Sequence, residues 1–331
     1  MTGTVIITGA NGSLAIPSVR YLLEQYPDHT LVLTVRNTED SDSNTKRLRE
    51  TIAKFPKALT SIRQLDLADL DAVHKFASTI ASEITDKKLP PIASIICNAY
   101  YWNLSKDPEF AADGVERTIR VNYISHVALV LRLLGSFGPE GGRIMLLTSD
   151  GHDQGVNGLE KYPPGIPDDL DSMLKATPDP DKLGRGFQRY ANSKLATLMW
   201  GYALNRYLEK DEALRNITTI IIDPGNMVDS RALRTNTPSF VQYAQRFVLQ
   251  PLRPLLRLRD PSLCTTADAA VNVVDIAMNK VYPGERGYLR QLRKVPSSKD
   301  SQDEDKQQKL WVKSAEWAKI TKENTALKSS I

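Results

Sequence analysis

The chain has 331 residues, 41% of them hydrophobic and 25% charged, enough for a large α/β core or for two domains. Its formal charge is only +4, from 43 Lys and Arg against 39 Asp and Glu spread along the sequence, so no field for a nucleic-acid partner follows. Two cysteines, Cys97 and Cys264, the lack of a basic and apolar leader, and the lack of any apolar run of membrane-spanning length predict a reduced, cytoplasmic protein without a transmembrane segment.

The first predicted element is the strand 4–8, which turns through Thr8-Gly9-Ala10-Asn11-Gly12-Ser13-Leu14-Ala15 into a helical pattern over 15–26. A buried β-branched strand aims such a turn, small residues let the backbone approach phosphates, and free amides at the helix start donate to an anion. The turn is therefore a candidate nucleotide site, and a plain strand-turn-helix is its structural alternative. Further strands are expected at 31–36, 62–67, 92–97, 143–148 and 217–222, nearly continuous apolar runs that suit a sheet covered on both faces. Helical segments near 42–56, 69–84, 113–136 and 190–209 alternate with them. Right-handed crossovers through these helices give an α/β fold with a doubly wound parallel sheet.

Between 151 and 185 the texture changes to Gly, Pro and Asp, which reads as an irregular insertion. The stretch 238–262, within a predicted lid 230–265, mixes Phe240, Phe247 and several leucines with Arg246, Arg253, Arg257 and Arg259. It reads as an amphipathic lid over a pocket, with a membrane-surface helix as the alternative. The expected division is a single Rossmann-type domain over 1–295 and a tail over 296–331. In that tail, 297–309 is charged and expected to be mobile, and Leu310, Trp311, Trp317 and Ile320 form a final helix that packs.

Several strand ends carry chemistry. Tyr190 and Lys194, four apart on the last helix of the alternation, share one face, and a nearby ammonium favours the phenolate. Ser149 ends the run Arg143-Ile144-Met145-Leu146-Leu147-Thr148, where the C-terminal ends of strands face a ligand crevice. Cys97-Asn98-Ala99 and Asp223-Pro224-Gly225 end two others. Singly, each is equally a strand cap or an exposed helical pair; together they converge on one edge of one sheet. His29, His74, His126 and His152 are too scattered for a local metal motif, and the sequons at Asn11, Asn103 and Asn216 are chance matches in such a protein.

Taken in order over roughly residues 3 to 290, these motifs resemble the short-chain dehydrogenase/reductase family, in particular its retinol-dehydrogenase and carbonyl-reductase branch and fungal natural-product members. The resemblance implies that Thr8, Gly9, Asn11, Gly12, Ser13 and Leu14 form the cofactor turn, that Asp66 and Leu67 lie beside the adenine, and that Asn98 and Ala99 match the family's Asn-Ala-Gly. It also implies contacts from Pro224 and Gly225, and a catalytic set of Ser149, Tyr190 and Lys194 with Asn122 as fourth member. In that set Tyr190 passes the proton, Ser149 donates to the carbonyl oxygen, and Lys194 lowers the Tyr190 pKa and holds the nicotinamide ribose. Asn122 supports a water-linked proton path through its backbone and amide. Ser13 and Ala15 replace two glycines of the family's turn, and Tyr100 replaces the glycine beside the nicotinamide.

Arg36 follows the second strand, where an acidic residue would take a ribose 2′-hydroxyl, and a guanidinium there suits a 2′-phosphate. The expected protein is an NADP(H)-dependent ketoreductase acting on a hydrophobic ketone or aldehyde, or oxidising the matching alcohol, in natural-product biosynthesis. A monomer or a homodimer is expected. The alternative is a Rossmann cofactor-binding protein with a non-redox or regulatory role.

Overall fold

Aliphatic runs such as Val5-Ile6-Ile7 are stable as strands only when both faces of the sheet are covered. The computed structural model, which describes residues 3–328, supplies that cover. Strands β1 (Thr4–Ile7), β2 (Thr30–Val35), β3 (Thr60–Gln64), β4 (Ile92–Cys97), β5 (Gly142–Leu147), β6 (Ile217–Asp223) and β7 (Gly287–Arg290) form one sheet in the order β3-β2-β1-β4-β5-β6-β7. Every neighbouring pair is parallel. The expected doubly wound sheet is thus the observed one.

One face buries helices α1 (Ala15–Gln25), α2 (Ser43–Ile52) and a later helix, α6 (Thr266–Ala277), through Leu22, Leu48 and Val273 against Ile7 and Leu33. The other face buries α3 (Leu70–Thr85), the run α4, and α5 (Lys182–Lys210). Run α4 comprises Arg117–Ile119, a π-helical turn Arg120–Ile124, and Ser125–Leu133. The last helix, α7 (Glu304–Trp317), lies over α5, where Trp311 stacks on Trp200 with ring centroids 5.7 Å apart.

The structure departs from the expected elements at identifiable places. Strand β7 and helix α6 are absent from the sequence reading, although α6 opens on a capping box made by Thr265 and Asp268. Helix α5 begins eight residues before Tyr190, so the Tyr-Lys pair lies inside the helix and not at its head. Gly184 and Gly186 look like breakers, but a Cβ on Gly186 would stand 2.2 Å from the Asn103 carbonyl oxygen, so that glycine serves close helix-to-loop packing. The 297–309 segment is built into the fold: Ser301 is fully buried, and Asp303 caps α7 by accepting from the Lys306 amide. Charge along this tail marks the solvent side of a docked helix.

The lid segment forms Ser239–Ala244, a π-helical turn Gln245–Leu249 and Gln250–Leu256. Of its apolar side chains Leu249 reaches the central cavity, whereas Phe240, Tyr243, Phe247, Leu255 and Leu258 are exposed. Its apolar face therefore turns mainly outward. Its anchor is polar, the buried Gln245 side chain donating to the carbonyls of Val228 and Ser230. Among the described residues no helix is long and apolar enough to cross a membrane.

Replacing Trp311 with Ala removes a nearly fully buried indole and should cost about 3–5 kcal/mol, read as a lower urea midpoint with unchanged slope. A loss below 1 kcal/mol would show that α7 is a dispensable cover.

Candidate active site

The C-terminal strand ends open into one cavity of about 780 Å³, beside the point between β1 and β4 where the strand order reverses. Gly9, Asn11, Gly12, Ser13 and Leu14 line one end of it. Gly9 has φ +62° and its hydrogen stands where a Cβ would come 3.0 Å from Ala99, so a side chain there would push β1 and β4 apart. The start of α1 has no side-chain cap; the Ile16 and Ser18 amides bond the Gly12 and Leu14 carbonyls and Pro17 carries no N–H, so an outside acceptor would be met by the amides of the turn and not by those of the helix. This geometry suits a phosphate group. Arg36, exposed at the end of β2, lines the same cavity, as do Asp66 and Leu67 after β3.

Asn98 and Ala99 also line it. The Asn98 amide donates to the carbonyls of Thr8 (3.0 Å) and Gly9 (3.1 Å), locking the turn to β4. Two of the expected site residues stand behind the wall. Thr8 is buried, its hydroxyl accepting from the Ala99 amide at 3.0 Å and bonding the His126 ring at 3.0 Å, so it braces the turn and does not line the cavity. Asn122 sits in the π-helical turn, a distortion common at functional sites. Its side chain accepts from the Tyr101 amide and donates to the Tyr101 carbonyl and the Ser193 hydroxyl. Both hydrogens of that amide are thereby engaged.

At the other end the cavity holds Ser149, Tyr190, Lys194, Pro224 and Gly225. Tyr190 is enclosed by aromatic rings, with centroids at 5.2 Å for Trp102, 6.0 Å for Phe187 and 6.2 Å for Tyr100. Val156 and Leu159, from the 151–185 insertion, add apolar wall. Burial is the main reason the Tyr190 phenol is held far above its ordinary range, with the Tyr100 phenol adding to it and a hydrogen bond to Ser149 opposing it. The expected lowering by Lys194 is thus not what the protein's own groups produce. Lys194 Nζ stands 5.6 Å from the Tyr190 ring centroid and donates to the Leu147 carbonyl at 2.8 Å.

Burial also lowers the Lys194 pKa, from 10.5 to about 8. Ser149 is held by its neighbours. Its hydroxyl donates to Asp150 Oδ1 at 3.0 Å and accepts from the Gly151 amide at 3.2 Å. Asp150, which the sequence reading passed over, is fixed by the amides of Asn157 (2.7 Å) and Asn226 (3.2 Å). Only its position directly after Ser149 could have flagged it.

The profile of short chain dehydrogenases matches residues 3–164, which carry the turn, Asn98, Asn122 and Ser149, and that of the AcuH dehydrogenase domain matches residues 231–327. The "Short-chain dehydrogenase iccH" of Talaromyces variabilis is 28% identical over 362 residues, 99% of this chain and 98% of that one. The chain belongs to the short-chain dehydrogenase/reductase family. Solved structures share the fold of this dehydrogenase/reductase. An uncharacterized protein from Mycobacterium paratuberculosis aligns with TM-score 0.63 at 21% identity, over 96% of this chain and 94% of that one. The NADPH-bound carbonyl reductase from chicken fatty liver aligns with TM-score 0.55 at 15% identity, over 89% and 99%.

A lysine whose folded pKa lies near 8 against 10.5 when unfolded binds fewer protons folded than unfolded across that window, so stability of the protein rises with pH from 8 to 10.5. Lys194→Met should therefore be more stable at pH 7 by up to about 3 kcal/mol, less about 1 kcal/mol for the lost Leu147 hydrogen bond. Denaturant titrations at several pH values should show this advantage shrinking above pH 8. A difference that does not change with pH would mean that Lys194 titrates normally.

Proposed function

We propose that the chain is an NADP(H)-dependent reductase of ketones or aldehydes on hydrophobic small molecules, serving a biosynthetic pathway for natural products. The observation that carries this reading is the meeting of Ser149, Tyr190 and Lys194 in the same cavity as the phosphate-suited turn and Arg36. The amides of the turn and the close Gly9 to Ala99 approach support a dinucleotide diphosphate there. Arg36 supports the 2′-phosphate form. NADPH is also what the chicken carbonyl reductase structure holds. Fungal relatives named as short-chain dehydrogenases support the oxidoreductase class. Both cysteines are free and buried, which suits a reducing, cytoplasmic setting.

When bound, NADP(H) supplies or accepts the hydride. The residues do the rest. Tyr190, which its raised pKa keeps protonated, gives its proton to the carbonyl oxygen as negative charge develops there. Ser149 steadies that oxygen once its hydroxyl swings from Asp150, and Asp150 holds it poised until then. Lys194 contributes the ribose contact and a positive field beside both Tyr190 and Tyr100, whose centroids lie 5.6 and 5.7 Å from Nζ. Trp102, Phe187, Val156 and Leu159 exclude water and select apolar substrates. In this reading residues 1–295 are the reductase domain, with the insertion 151–185 and lid 230–265 shaping its substrate side, and 296–331 are its tail.

Loss of NADPH absorbance with a panel of apolar ketones tests the proposal directly. Tyr190→Phe should lower turnover about a hundred- to ten-thousand-fold while cofactor affinity holds; near-parental turnover would remove Tyr190 from the chemistry. Arg36→Ala should level the affinities for NADPH and NADH, and Arg36→Asp should invert them, by fluorescence titration. Equal affinities in the parent protein would reject the 2′-phosphate assignment.

A further inference from the structure

Ser13 occupies a position that a glycine would be expected to fill, and its hydroxyl is engaged from the far end of the fold. The Arg231 backbone amide and Nε both donate to Ser13 Oγ, at 3.0 and 3.1 Å, and Arg231 Nη2 donates to the Asn11 carbonyl at 2.6 Å. A guanidinium is thereby strapped across the turn that follows β1. Its remaining nitrogen, Nη1, is buried with no hydrogen-bond partner among the described residues. A buried, unsatisfied donor on a charged group is costly, and the natural remedy is an anion. The turn itself contributes only amide dipoles, since no Lys or Arg lies between Gly3 and Pro17.

We infer that Arg231 is an anchor for the cofactor diphosphate, the cation the turn lacks, delivered from the root of the lid. This rests on the dinucleotide reading above and adds a residue to it. The chemistry recognised is a diphosphate monoanion pair, shared by NADPH, NADH and ADP-ribose, and it is distinct from the 2′-phosphate assigned to Arg36. Ser13 is then explained: its hydroxyl is the acceptor that turns the guanidinium toward the turn, a task no glycine performs. Because Gln245 ties the carbonyl of Ser230 to the lid helices at 2.6 Å, the same strap connects the diphosphate site to the lid.

The test is titration of the full chain with NADPH, NADH and ADP-ribose by calorimetry, for the parent, Arg231→Gln, Arg231→Lys and Ser13→Ala. Loss of one charge-assisted contact should weaken all three ligands in Arg231→Gln by a common factor of about ten to a hundred. Arg231→Lys, which keeps the charge without the fork, and Ser13→Ala, which frees the guanidinium, should show smaller losses, again equal across ligands. Unchanged affinity in folded Arg231→Gln would overturn the inference, as would a loss confined to NADPH, which would move Arg231 to the 2′-phosphate. If Arg231→Gln does not fold, equal affinities in Ser13→Ala and parent overturn it. A parent protein that binds none of the three would reject the dinucleotide reading instead.

Discussion

One buried chain of hydrogen bonds holds the site together, and it begins at the Thr8 hydroxyl. The Ala99 amide donates to Thr8 Oγ1, which meets His126 Nε2, and His126 Nδ1 meets the Asn122 carbonyl at 3.2 Å. A carbonyl can only accept, so Nδ1 carries the proton, and in a neutral ring Nε2 accepts from Thr8. Burial enforces that neutral form, lowering the His126 pKa to about 4. From Asn122 the path continues through the side-chain amide to Ser193 Oγ, which donates to the Tyr190 carbonyl at 2.6 Å. The phosphate-suited turn, the π-helical turn of α4 and the helix carrying Tyr190 are thus registered by one continuous network. Each member is satisfied, which is the condition under which a buried polar network fixes a single arrangement.

The network explains why two residues of the family pattern stand off the cavity. Thr8 and Asn122 fill its junctions, and their side chains are committed to the network that registers the turn after β1 with the helix carrying Tyr190. Support for catalysis is delivered through position here. The residues facing the cavity meet the opposite requirement. Lys194 is buried against its charged form, a cost that packing elsewhere, as in the Trp200 and Trp311 stack, must offset, whereas the Tyr190 phenol is neutral near neutral pH and carries no such cost.

Much of this was legible in the sequence. Five of the expected strands fall within a residue or two of their observed ends, because aliphatic runs bounded by turn residues have no other stable use in a covered sheet. The nucleotide turn, Ser149 and the Tyr-Lys pair were legible because their spacing is local and their chemistry particular. Strand β7 was not, since four residues with only Tyr288 and Leu289 buried carry no period. The start of α5 was hidden by Gly184 and Gly186, the second of which is required by close packing on Asn103, in a loop some eighty residues away. The roles of Thr8 and Asn122 depend on His126 and Ser193, partners that only the folded chain brings together.

The departures from the family pattern are where sequence distance matters most. Ser13 and Arg231 lie 218 positions apart, one in the segment matching the general dehydrogenase profile and the other at the first residue matching the AcuH profile. Neither is interpretable alone: a serine in a glycine position reads as a defect, and an arginine after a Pro-Gly turn reads as a solvated side chain. Joined, they turn two irregularities into one cation placed over an anion-suited turn. The same reasoning applies to Tyr100, which takes a glycine's place and closes an aromatic wall with Trp102 around Tyr190. Both substitutions fill space that the family pattern leaves open, one at the phosphate end of the cavity and one at the reacting end. A turn that has exchanged glycine for a side chain can no longer rely on backbone approach alone. Here Arg231, from the C-terminal third, bonds Ser13 and Asn11, so that third is tied to the turn itself and is not merely a cover over it.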